Sequence, residues 1–265
     1  MTSVTGIPPV SPISPVSPAP QTTRQVHRRV VDAPTRVFHW LFAPSFAGAY
    51  LTADGERFRL LHVTLGYTMA GLLVFRVGYG LFGPRQARLM LLWRKLAGLL
   101  PWVRSMKITA VAGAPSAVNW RQGQNVFMAV AIAALLLLVM PLTLSGYATY
   151  NEWGDLMGGD WIEEVHELFG NTVLAVALAH VGAIAALSLL RGKNLAAQMV
   201  TGRAEGSGPD LAKRNHAWLA AVLLSSVLAY WAWEWQHSPA GLIPAQSLGA
   251  VLDVRAERGK DDNDD

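Results

Sequence analysis

Five apolar stretches of about the length needed to cross a bilayer run through this chain, at 37–53, 60–82, 125–147, 164–190 and 216–235. A helix rises about 1.5 Å per residue, so about 20 apolar residues span the hydrocarbon. The first stretch is short and needs its flanks, and the second is interrupted only by Arg76. The third contains ALLLLVMPL, with an expected kink at Pro141 near its outer end. Buried helices of a large soluble protein read the same way, but 265 residues do not supply enough polar elements to cover five of them. Only 15% of residues are charged, against about 25% in soluble domains. The mean hydropathy is +0.28 in spite of polar ends, and the ten tryptophans suit membrane–water interfaces. A soluble enzyme, a disordered chain and an ordinary nucleic-acid binder are excluded on these grounds.

The charges orient the spans. Arg24, Arg28, Arg29 and Arg36 precede the first. The second-to-third connection holds Arg85, Arg88, Arg94, Lys95, Arg104, Lys107 and Arg121, and the fourth-to-fifth holds Arg191, Lys193, Arg203, Lys213 and Arg214. The first loop offers only Arg57 and Arg59, and the third loop is acidic, with Glu152, Asp155, Asp160, Glu163 and Glu164. Lys and Arg collect on the cytoplasmic side, so the expected topology is an inner-membrane protein with N-terminus inside and C-terminus in the periplasm. The basic balance is then an insertion signal, and no nucleic-acid partner is expected. LMLLWRKLAGLLPWV, at 89–103, mixes apolar and basic residues and is expected along the inner membrane surface. Residues 1–28 are rich in Pro and Ser and read as a disordered cytoplasmic tail. They lack the basic start and unbroken apolar run of a signal peptide.

Cysteine is absent, which removes thiolate-held metals and covalent haem attachment. Ionisable groups inside a bilayer are costly and point to function. Four of the seven histidines fall within spans: His39 near an inner face, His62 and His166 near outer faces, and His180 deeper in the span of His166. His166 and His180 are fourteen residues apart, within about 40° of one face and roughly 21 Å along the axis. The depths pair His62 with His166 outside and His39 with His180 inside. Two stacked bis-imidazole sites fit two b-type haems.

Gly66 and Gly170 each follow a histidine by four residues, on its own face, where a missing side chain leaves room for a flat macrocycle or for close helix packing. Around His180 the neighbours are small: Ala175, Ala177, Ala179, Gly182 and Ala183. Arg76 follows His62 by fourteen residues, so it lies on the same stripe near the inner face. Either it snorkels to headgroups, or it pairs with a haem propionate or orients a quinone. Glu163-x-x-His166 matches half of a di-iron carboxylate motif, and no span offers the other half. His27, His216 and His237 read as surface or interface residues. No nucleophile–base pair, phosphate loop or zinc signature is present.

The blocks VVDAPTRVFHWLF, LLHVTLGY and LLVFRVGYGLFGPRQAR, followed by VHELFGN, LAHVGA and NLAAQMVTGR, resemble the prokaryotic cytochrome b561 family, which overlaps the b-type cytochrome subunits of nickel-iron hydrogenases. The resemblance covers about residues 30–203. It implies an all-α membrane protein with a four-helix bundle that holds two haems b on His39, His62, His166 and His180, and it often places an arginine at Arg76. The Pro/Ser-rich tail and the fifth span depart from that core. The expected divisions are a dihaem domain at 29–203, an extra transmembrane helix at 204–240 and an acidic tail at 241–265. The implied function is electron transfer between membrane quinone and an outer partner, such as a small periplasmic c-type cytochrome. One alternative is a membrane-anchor subunit of a hydrogenase-type oxidoreductase. Others are superoxide oxidation coupled to quinone reduction and, outside redox chemistry, a histidine-dependent proton or metal transporter.

Overall fold

The computed structural model describes residues 27–111, 119–154, 161–206 and 208–238. The tail expected at 1–28 lies outside them apart from its last two residues, as do the tail at 241–265 and Asp155 and Asp160 of the acidic loop. The order is β1 (His27–Arg29), α1 (Ala33–Leu51), α2 (Arg59–Phe82), α3 (Leu89–Ala97), α4 (Leu99–Val111), α5 (Trp120–Tyr150), α6 (Trp161–Arg191), α7 (Ala197–Thr201), β2 (Arg203–Glu205) and α8 (Ala217–His237).

The long helices begin where the sequence supplies a cap. The Asp32 carboxylate accepts from the Thr35 N–H at 3.3 Å, and a proline occupies the first turn of α1, where a missing N–H costs nothing. Asn119 caps α5 in the same way, accepting from the Gln122 N–H at 3.1 Å. Both α1 and α5 continue through an internal proline, Pro44 and Pro141. Membrane helices tolerate this because neighbouring groups satisfy the freed carbonyls.

The chain is an all-α membrane protein, and α2, α5, α6 and α8 are each long and apolar enough to cross a bilayer. The helix expected around 37–53 forms as α1, but its 19 residues include Arg36 and Pro44 and it does not stand among those four. The segment at 89–103 becomes α3 and the start of α4, with Gly98 capping α3. No residue of α3 is buried, and Arg94 and Lys95 lie in its last turn, where the helix dipole favours positive charge.

The bundle is two helix pairs, α1 with α2 and α5 with α6, joined by α2 on α5. Met69, Val139, Leu142 and Val173 form the core between α2, α5 and α6, with Phe42, Phe46 and Phe169 packed against it. Gly48 lets α1 approach α2, since a Cβ there would meet Leu65 Cδ1 at 2.8 Å. The remaining long helix, α8, covers α1 and α2 through Leu72, Leu223 and Val227, and Trp231 Nε1 donates to Thr68 Oγ1 at 2.8 Å. By contrast, α6 has Ile162 and Val173 as its buried residues along 31 positions. Its remaining surface is left for lipid or for something held within the bundle.

At one end β1 and β2 form an antiparallel ladder that joins the chain before α1 to the chain after α7. The Val30 and Val31 N–H groups both donate to the Gly202 carbonyl, at 2.8 and 3.2 Å. Gly202 has φ of +73°, and a Cβ there would meet the Val31 carbonyl oxygen at 2.7 Å, so glycine alone fits.

Candidate functional site

The structure brings His62 of α2 and His166 of α6 together across the bundle in an edge-to-face arrangement, with ring centroids 6.0 Å apart and planes at 80°. Each ring is fixed by a neighbouring helix. His62 Nδ1 donates to the Ala49 carbonyl of α1 at 2.8 Å, and His166 Nδ1 donates to the Leu142 carbonyl of α5 at 3.0 Å. A carbonyl can only accept, so Nδ1 carries the proton in each neutral ring and Nε2 keeps its lone pair. A carbonyl that accepts the Nδ1 proton in this way orients a metal-binding imidazole and raises its basicity. An imidazole nitrogen binds a transition metal at about 2 Å, so His62 and His166 would be the residues to hold an ion between them, and that ion would supply one-electron chemistry.

Both histidines line a cavity of about 410 Å³, within the ordinary range for cofactor clefts of about 300–1,000 Å³. Gly66 and Gly170 line it too. A Cβ on Gly66 would meet nothing within 4 Å, and one on Gly170 would touch only Leu142 Cδ1, at 3.9 Å. These positions thus border open space rather than a helix contact, as a flat macrocycle requires. At the rim, the Tyr50 hydroxyl donates to Asn171 Oδ1 at 2.8 Å and ties α1 to α6. Glu163 and Glu167 stand at the same mouth.

The sequence reading missed Gly146. A Cβ at this position of α5 would lie 2.7 Å from His166 Cε1, so the bare backbone is what lets the imidazole lie against α5. The signal was present as a glycine in the outer turn of a long apolar helix, but no histidine lies on that helix to give it meaning. Gly146→Val is expected to push the ring off the Leu142 carbonyl and to abolish absorbance from any haem ligated there. Gly71→Ala, with nothing within 4 Å, should leave the spectrum unchanged.

His39 of α1 and His180 of α6 lie within electrostatic range of each other. The Nδ1 of each is buried without a hydrogen-bond partner. Such an orphaned buried group costs about 1–3 kcal/mol, which fits rings held by a ligand that the side chains do not supply. Arg76 lies at the end of α2 that meets the connection to α3. Its Nη1 donates to the Ala87 carbonyl at 3.1 Å, and Asp32 and Tyr79 are its electrostatic neighbours. Asp32, which is almost fully buried, accepts from the Tyr79 hydroxyl at 2.5 Å. No group of three or more His, Cys, Asp or Glu arranged for a metal ion occurs among the described residues. His216 caps α8, and His237 bonds the Trp233 carbonyl, both at helix ends.

Comparison with known proteins gives one family. No curated protein and no solved structure matches the chain. A family model described as prokaryotic cytochrome b561 matches residues 30–202, the segment between the two strands of the ladder, and takes in His39, His62, His166 and His180. That match covers well over half of the sequence, and the chain belongs to the prokaryotic cytochrome b561 family.

Proposed function

We propose that this protein carries electrons through the membrane on two b-type haems, one between His62 and His166 and the other between His39 and His180, linking quinone to a redox partner on the outer side. Family membership gives the general activity, transmembrane electron transfer by b-type haem. The observation that carries the two-site reading is the outer pair: imidazoles 6.0 Å apart, each with Nδ1 on a backbone carbonyl, opening into one cavity. When bound, a haem supplies an iron that gains or loses one electron. The chain's own part is to present Nε2 lone pairs at fixed separation, to exclude water with Phe46, Met69 and Leu142, and to leave the faces over Gly66 and Gly170 open.

Several placements support the rest. The Nδ1 atoms of His39 and His180 are buried without partners, and the two rings lie within electrostatic range of each other. Basic residues lie at the end that carries β1 and β2, which favours that end as cytoplasmic. Glu163 and Glu167 give the mouth of the His62–His166 cavity a negative rim suited to a basic partner such as a small c-type cytochrome. Arg76 is a counter-charge at the inner end, tied to the α2–α3 connection. A visible spectrum of the purified chain tests the reading: sharp reduced α-bands and two haems per chain are expected. A colourless, folded protein would sink it in favour of proton or metal transport.

A further inference from the structure

A second cavity, of about 640 Å³, lies at the end of the bundle away from the His62–His166 site. It is framed by the β1–β2 ladder, the first turn of α1 and the α6–α7 turn. The ladder sets Arg29 directly opposite Arg203, and His27 opposite Glu205. Residues two apart on a strand share a face, and all four line the cavity. Like charges directly opposite destabilise a strand pair, and here the backbone bonds around the ladder hold Arg29 and Arg203 opposite each other in spite of that cost.

Arg36 adds another guanidinium to the same cavity. Its Nη1 donates to the Val200 carbonyl at 2.8 Å, while its Nε is buried with no partner. The group packs against Gly202, where a Cβ would stand 3.1 Å from Nε. Lys193 is a fourth cation, and the Glu205 carboxylate holds it at 3.2 Å. Asp210 is nearby, but its carboxylate accepts from the backbone N–H of Arg29, at 2.6 Å. Among the described residues Lys193–Glu205 is the one ion pair, so three guanidiniums face this cavity without a carboxylate partner.

Guanidinium forks match phosphate oxygens, and basic pockets at the cytoplasmic ends of membrane helices suit phosphate headgroups. We infer that this cavity binds a phosphate-bearing anion on Arg29, Arg36 and Arg203, and that the anion holds β1 to β2. The site is independent of haem. Its chemistry is shared by an anionic phospholipid headgroup and by free phosphate.

Thermal unfolding of the full chain in neutral detergent, followed by helical circular dichroism, tests it with phosphatidylglycerol and inorganic phosphate in separate arms. Phosphatidylglycerol should raise the melting temperature by a few degrees, because a ligand of the folded state alone stabilises it. Arg203→Gln should abolish that rise. Without anion this variant should melt no lower than the wild type, since it removes the Arg29–Arg203 repulsion. Arg29→Gln should behave alike. A rise with the lipid alone supports the site with a headgroup as ligand, and a rise with inorganic phosphate too supports it with free phosphate. Equal rises in wild type and variants overturn the site, as does no rise from either source, or variants that melt far lower without anion.

Discussion

Replacing His166 by alanine is expected to halve the haem content of the purified protein while its helices remain. The substitution removes one Nε2 lone pair from the outer cavity and leaves the other pair, about 21 Å along the helix, untouched. The lost ring also releases the Leu142 carbonyl, but that group sits in a helix next to Ser145, whose hydroxyl donates to it at 3.1 Å. The fold therefore has little reason to fail. The readout is haem per chain by pyridine haemochrome, with circular dichroism as the control. His39→Ala should give the complementary spectrum, keeping the outer component and losing the inner one. Loss of both haems from the His166 variant with full helicity would break the pairing of His62 with His166.

Asp32→Ala should be among the most destabilising single changes in the described chain, by about 3 kcal/mol. The residue is 1% exposed and serves two structures at once. Its Oδ1 caps α1 through the Thr35 N–H, and losing such a cap costs about 1 kcal/mol. Its Oδ2 accepts from the Tyr79 hydroxyl of α2, and a hydrogen bond to a charged group contributes about 1.5–3 kcal/mol. Arg76 would also lose its nearest counter-charge. Tyr79→Phe removes only the second contact and should cost less. The two single variants and the double should be non-additive in denaturation in detergent, because they share one bond. Additive losses would show that Asp32 acts through the cap alone.

What the sequence made readable follows from period and length. Apolar runs long enough for a bilayer became helices within a few residues of their expected limits, because membrane insertion overrides local preference. The depth of each histidine followed from the rise of a helix, so the meeting of His62 and His166 was legible before any contact was known. The partners of their Nδ1 atoms were not. Ala49 and Leu142 offer only backbone carbonyls, and nothing in their side chains marks them. Gly146 was hidden for the same reason, since its importance depends on a ring from another helix. The start of α1 was legible in principle: aspartate followed by proline two positions later, as in DAPT, is a capping signal. The ladder was not. Three residues of each strand, His27–Arg29 and Arg203–Glu205, carry no apolar alternation, and the pairing exists only because the helices bring the two segments to one end.

That ladder has a consequence for the order in which the molecule is built. The Arg29 N–H and its acceptor Asp210 are 181 positions apart, and β1 precedes every helix of the bundle, while β2 follows α6. During synthesis β1 emerges first and has nothing to pair with until the last helix of the bundle has been made. Contacts of such long sequence separation close late, because the loop entropy is lost before they can return anything. The shortest element of the fold therefore closes only after the seven helices between its halves, α1 to α7, have been made, and it fastens the start of the chain to a segment that lies just before α8.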